Sequence, residues 1–129
     1  MNESQNILAP ISLGELIDKI TILKIKTNHL EGSALNNVKI ELSALEMTLN
    51  SLEIDISSRL IEDLKQTNEK LWSIEDSIRH HERQKKFDEE FISLARSVYQ
   101  QNDCRSAIKR KINTTYGSSL IEEKSYEAY

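Results

Sequence analysis

One segment of the chain gathers most of the side chains able to recognise an anion. It holds Arg96, Tyr99, Asn102, Asp103, Arg105, Lys109 and Asn113. Positions 102, 105, 109 and 113 are spaced 3, 4 and 4, so they share one helical face. On that face Arg105 and Lys109 can fork around a phosphate or carboxylate. Asn102 and Asp103 can fix their orientation. The plain alternative is an N-cap at Asp103 followed by a solvated basic face. The patch lies where the apolar stripe of its own segment lapses. Phe91, Leu94, Ala95 and Val98 carry the stripe, and Ile108 and Ile112 resume it. Between them the inward slots fall on Gln101, Asn102 and Arg105. Local rules broken in this way mark functional or strained positions.

A second set is acidic. Glu15-x-x-Asp18 and Glu75-Asp76 can hold Mg²⁺ through a few oxygens and waters, with Arg79 nearby to clamp phosphate. Helical nucleotide pyrophosphatases use two E-x-x-E/D-type pairs for this, whereas the second pair here is adjacent. The plain reading of Glu75 and Arg79 is an i,i+4 ion pair worth a few tenths of a kcal/mol. His80 and His81 are neighbours and point about 100° apart on a helix. Asp76 and His80 make half a metal site with no visible second half. No zinc spacing of Cys and His exists, so both histidines read as structural. Cys104 beside Arg105 has the setting of an acidified thiol at a helix N-terminus, but it lacks a histidine partner for nucleophilic work. No phosphate-binding glycine loop and no nucleophile elbow occur.

Helices must position these groups. The chain has 129 residues with 38% hydrophobic and 5% aromatic content, three Gly and one Pro. Sixteen Ile and fifteen Leu dominate the apolar set. A β-sandwich or barrel needs more turn residues than that, and a chain this aliphatic is not a disordered polymer. Ser12 and Glu15 form a capping box, with Ile11 and Leu16 as a hydrophobic staple. Leu13, Leu16, Ile17, Ile20, Leu23 and Leu30 then recur at helical spacing up to Gly32, the expected stop. Leu35, Val38, Leu42, Leu45, Leu49 and Leu52 are spaced 3, 4, 3, 4, 3, a heptad seam. A connector over 53–58 follows. A third helix is predicted from about Arg59 to Lys85, with Leu60, Leu64, Leu71, Ile74 and Ile78 inward and Thr67 in one core slot. A fourth starts after Asp88 as N-cap, with a break or bend open at Asn102-Asp103, and ends at Tyr116-Gly117-Ser118. Leu120 to Tyr126 has the composition for one last helical turn.

Net charge is −4, which argues against a general nucleic-acid binder. The charge is uneven: −5 over residues 1–64 and +1 over 65–129. A single cysteine allows no internal disulfide, and the N-terminus lacks a secretory pattern. A reducing cytoplasm is therefore the expected location. No apolar run is long enough to span a membrane.

Several strings are familiar together. They are Pro10 to Leu23 (PISLGELIDKITIL), Leu71 to Arg79 (LWSIEDSIR), Phe87-Asp88, Leu94-Ala95-Arg96, Val98-Tyr99, Asn102-Asp103, Ile108-Lys109, Ile112-Asn113 and Glu122 to Tyr126 (EEKSY). In them the chain resembles an uncharacterised family of small bacterial helical proteins, a domain of unknown function of marine cyanobacteria and proteobacteria. The resemblance covers nearly the whole chain. It implies a place near glycosyltransferases and helical-repeat proteins, hence in surface-polysaccharide assembly. It also places Glu15, Asp18, Glu75, Asp76, Arg79, Arg96, Asn102, Asp103 and Lys109 inside the family's pattern. Chorismate mutase is a weaker look-alike, because its dicarboxylate site needs arginines that the first helix here lacks.

The expectation is an all-α antiparallel bundle of four main helices with Leu/Ile seams and a short C-terminal turn. Residues 1–10 form a lead-in, 11–117 the bundle and 118–129 the tail. The expected function is a binding or assembly domain for a protein partner or an anionic glycan-related ligand. Arg79, Arg96, Tyr99, Asn102, Asp103, Arg105, Lys109 and Asn113 would make the contact, with no cofactor. The alternative is a Mg²⁺-dependent enzyme on a phosphorylated or nucleotide substrate, with Glu15, Asp18, Glu75 and Asp76 on the metal. A homodimer through the seam of 35–52 is also open.

Overall fold

The computed structural model describes residues 6–129; residues 1–5 of the expected lead-in lie outside the described residues. Residues 6–10 are exposed and form no helix. Four helices follow: α1 (Leu13–Thr27), α2 (Gly32–Ser51), α3 (Ser58–Gln84) and α4 (Glu89–Thr115). Among the described residues there is no strand. None of the helices is long and apolar enough to cross a membrane.

α1 is the hub. It packs against α2, α3 and α4, and among the described residues the only other helix pair in extended contact is α3 with α4. The side-chain pairs set the directions. Gly14 meets Asn113, Glu15 meets Lys109 and Asp18 meets Arg105, so α1 and α4 run antiparallel. Asp18 meets Asn68 and His29 stacks on Trp72, so α1 runs parallel to α3. Four-residue connections make α1–α2 and α3–α4 antiparallel hairpins. The core gathers Leu13, Ile17, Leu60, Leu64 and Ile112, with Leu49, Ile56, Ile61, Ile108 and Tyr116 packed around it. Burying an aliphatic side chain such as Ile17 or Leu64 stabilises the fold by roughly 1.5–3 kcal/mol.

Helix lengths explain where packing thins. α1 has 15 residues, whereas α3 and α4 have 27 each. At 1.5 Å per residue that is about 22 Å against about 40 Å. The α3–α4 hairpin therefore projects beyond α1, and Leu71, Ile74, Ile78, Leu94 and Val98 remain half-buried.

Three expectations need correction, and the bend left open at Asn102-Asp103 is decided. α1 ends at Thr27 rather than near Gly32: the Asn28 amide closes back onto the Ile25 and Lys26 carbonyls. Gly32 takes its positive φ of 63° as the first residue of α2. The seam of α2 is less buried than heptad spacing suggested, because α2 packs on α1 alone. Val38 is buried, Leu35, Leu42, Leu45 and Leu49 are half-buried, and Leu52 is exposed. α4 runs unbroken through Asn102-Asp103, which leaves Cys104 exposed in mid-helix rather than at an N-terminus. Residues 118–129 form no helix; they lie back along α4 as an extended strap, with Glu122 on Lys109 and Tyr129 on Asp103.

Candidate functional site

The site is built where α1 lies across α4. α1 begins in the interior, so its first amides cannot reach water and need partners. Leu13 N–H donates to Ser118 Oγ at 3.2 Å, Gly14 N–H to Asn113 Oδ1 at 2.7 Å, and Glu15 N–H to Ser12 Oγ at 3.1 Å. Only half of the predicted capping box forms. Glu15 does not reach back to Ser12; its carboxylate accepts from Lys109 Nζ at 2.6 Å. Glycine at position 14 permits this approach: a Cβ there would lie 2.6 Å from the Lys109 carbonyl oxygen.

One turn further along, Asp18 is fully buried. Its Oδ1 accepts from Arg105 Nε at 2.9 Å and from Asn68 Nδ2 at 2.9 Å, and its Oδ2 accepts from Arg105 Nη2. Asn68 also donates to Thr21 Oγ1 at 2.9 Å. The polar slots that interrupt the stripe of α4 are thus answered by a carboxylate on α1. The hydrogen bond that Arg105 donates to Asp18 raises the Arg105 pKa against the opposing effect of burial. For Lys109 burial is the largest influence and lowers the pKa, but the bonds to Glu15 and Glu122 outweigh it together. Both cations stay charged. Glu122, bonded to Lys124 at 2.7 Å and to Lys109 at 2.9 Å, is held down to about 2, with Lys124 the larger cause.

Arg105 forms the shared wall of two cavities. One, of about 730 Å³, lies between α4 and the strap and is lined by Tyr99, Asn102, Asp103, Arg105, Lys109, Lys124, Tyr126 and Tyr129, among others. The other, of about 570 Å³, lies between α1, α3 and α4, with Ile22, Ile25, Leu71 and Trp72 facing Glu75, Asp76, Arg79, Asn102 and Arg105. All hydrogen bonds of Arg105 go to Asp18 through Nε and Nη2. Its Nη1 hydrogens make none among the described residues.

Five residues of the sequence patch therefore meet at the strap cavity: Tyr99, Asn102, Asp103, Arg105 and Lys109. The other three are elsewhere. Arg79 is an exposed partner of Glu75 at 3.9 Å and borders the second cavity. Arg96 is exposed, reaches only the Tyr99 hydroxyl at 3.4 Å and lines neither cavity. Asn113 is buried and caps α1. Of the four acids considered for Mg²⁺, Glu15 and Asp18 are engaged by Lys109 and Arg105, while Glu75 and Asp76 border the second cavity. They form no cluster of three converging ligand atoms among the described residues.

Residues 7–129 match the model of a family of unknown function, DUF6165. The chain belongs to that family. No curated protein and no solved structure matches it. For this DUF6165 chain, the strap cavity has contributors outside the predicted site residues, among them Glu122, Lys124, Tyr126 and Tyr129. All four belong to the tail, and a segment without helical period gives no hint of where it docks. Away from this site, at the tip of the α3–α4 hairpin, His81 reads as structural in the sequence, yet Nε2 of this buried ring lies 3.7 Å from carboxylates of both Asp88 and Glu90. The available signal was the short connection over 85–88, which forces the last turn of α3 against the first turn of α4.

Proposed function

We propose that this protein is a binding domain for a small anionic ligand carrying a sugar-like or other ring, such as a phosphorylated glycan precursor. The ligand occupies the cavity between α4 and the C-terminal strap. One observation carries the reading: Arg105 is locked by the buried Asp18 through Nε and Nη2, and it lines a cavity that also holds Lys109, Lys124 and three tyrosines. A guanidinium pre-oriented by a carboxylate loses little rotamer freedom on binding an anion. Tyr99, Tyr126 and Tyr129 offer flat faces and hydroxyls suited to a sugar or base ring. Glu122 already sits on Lys109 as an internal anion. An incoming phosphate displaces that carboxylate and takes over its donors, so binding and strap movement are coupled. The resemblance that leads toward surface-polysaccharide assembly favours the same ligand class.

The test is calorimetric titration with glucose 1-phosphate, a nucleotide sugar and inorganic pyrophosphate, each with and without Mg²⁺. Binding without metal, weakened at least about tenfold by Tyr99→Ala or Lys124→Ala, is the expected result. Both positions are surface-facing enough for the fold to survive. Binding of none of these probes, or binding untouched by both substitutions, refutes the proposal. Binding that requires Mg²⁺ and is lost in Glu75→Gln would favour the metal-dependent enzyme instead.

A further inference from the structure

A different set of groups meets at the far tip of the α3–α4 hairpin. The two helices are joined by a tight turn. Lys85 takes a left-handed φ of 56°, and the Lys86 N–H returns to the His81 carbonyl at 3.0 Å, six residues closing on one. Asp88 then caps α4, its Oδ1 accepting from Phe91 N–H at 3.0 Å. This geometry brings the last turn of α3 onto the first turn of α4.

His81 is 8% exposed. Its Nδ1 lies 2.9 Å from the Ser77 carbonyl. A carbonyl only accepts, so Nδ1 carries the hydrogen and the lone pair of the neutral ring is on Nε2. Nε2 makes no hydrogen bond among the described residues. It faces Asp88 Oδ1 and Glu90 Oε2, each at 3.7 Å. A lone pair set between two carboxylates is repulsive unless a cation lies among them. A proton on Nε2 would draw an oxygen to about 2.7–2.9 Å. A tetrahedral ion bonded at about 2.0–2.2 Å to each donor instead places those donors roughly 3.3–3.6 Å apart. The two Nε2–oxygen spacings of 3.7 Å are close to the second arrangement. All three donor atoms lie within 4.8 Å of one another. Two of the three ligands are also steadied from outside, His81 by Ser77 and Asp88 by the Phe91 amide, as ligands in metal sites commonly are.

We infer that His81, Asp88 and Glu90 form a divalent transition-metal site, with Zn²⁺ the best-matched ion. One imidazole nitrogen and two carboxylate oxygens suit Zn²⁺ better than Mg²⁺, which prefers oxygen and water throughout. Three protein ligands leave a fourth position for water or for an outside donor. The ion ties α3 to α4 at the hairpin tip, the part of the fold least covered by α1.

Co²⁺ titration of the tag-free full chain, followed by its visible absorption, tests this directly. The expected result is one equivalent bound, displaced by Zn²⁺ and untouched by excess Mg²⁺. Asp88→Asn keeps a capping side chain and Glu90→Gln is exposed, so both variants fold. Each should weaken Co²⁺ at least about tenfold, since even loss of an outer-shell partner costs 10–100-fold. His80→Ala should bind as the parent does. The site is refuted if no saturable absorption develops, if both carboxylate variants bind unchanged, or if His80→Ala abolishes binding.

Discussion

Gly14→Ala is the sharpest single perturbation of the α1–α4 contact. Inside a helix this substitution ordinarily stabilises by up to about 1 kcal/mol, because glycine costs more backbone entropy. Here the added Cβ would stand 2.6 Å from the Lys109 carbonyl oxygen, 3.1 Å from its carbon and 3.0 Å from Asn113 Oδ1. Ordinary contact begins at 3.4 Å, so the helices must part by about 0.8 Å along that direction. Two of the three clashing atoms are backbone, which no rotamer change relieves. The same movement stretches the 2.7 Å bond from Gly14 N–H to Asn113, the 2.6 Å Glu15–Lys109 pair and the Asp18–Arg105 fork. Overpacking costs about 1–3 kcal/mol and a weakened buried hydrogen bond about 1 kcal/mol more. Against the helix-propensity gain of about 1 kcal/mol, a net loss of about 1–3 kcal/mol is expected. For a domain this size that lowers Tm by roughly 3–15 °C. Urea unfolding followed by circular dichroism measures it. Gly32→Ala is the control, since nothing lies within 4 Å of its Cβ and only its φ of 63° is strained. A Gly14→Ala protein as stable as the parent would refute the close approach and the docking of α1 built on it.

Three further outcomes are expected. Asp18→Ala strands the Arg105 guanidinium beside a buried site and should cost about 3 kcal/mol, whereas the double change Asp18→Leu with Arg105→Met should restore most of it; equal losses in single and double variants would contradict the pairing. Glu122 ionises well below its ordinary 4.5, at about 2, so its stabilisation of the strap is complete above about pH 4.5 and fades as pH falls toward 2. With its side chain 39% exposed, screening reduces that contribution to about 1 kcal/mol; carbon-detected NMR titration should show the low midpoint, moved upward by Lys124→Met. Tyr129, donating to Asp103 and edge-on to Tyr99, is raised to about 12, so the contact holds below pH 10 and is lost as pH approaches 12. Ultraviolet titration should show one late tyrosine, absent in Tyr129→Phe.

The sequence by itself determined the class of the fold and most of its element boundaries. The Ile and Leu periodicity, the scarcity of Gly and Pro, and the cap at Asp88 are local signals, and α3 and α4 appear within a residue of where they point. It also marked the chemistry-bearing stretch of α4, because polar residues in inward slots break a local rule wherever the partner lies. The partner itself was decided only by tertiary structure. Asp18 answers Arg105 across 87 positions, and Glu15 answers Lys109 across 94. No spacing encodes a pairing between helices so far apart in the chain. The strap is the extreme case: Glu122 and Tyr129 carry no periodicity, so their docking on α4 depends on an ion pair and a hydrogen bond whose partners only the folded surface brings together. The same holds for His81, whose two carboxylate neighbours become visible as a cluster only once the turn at Lys85 reverses the chain.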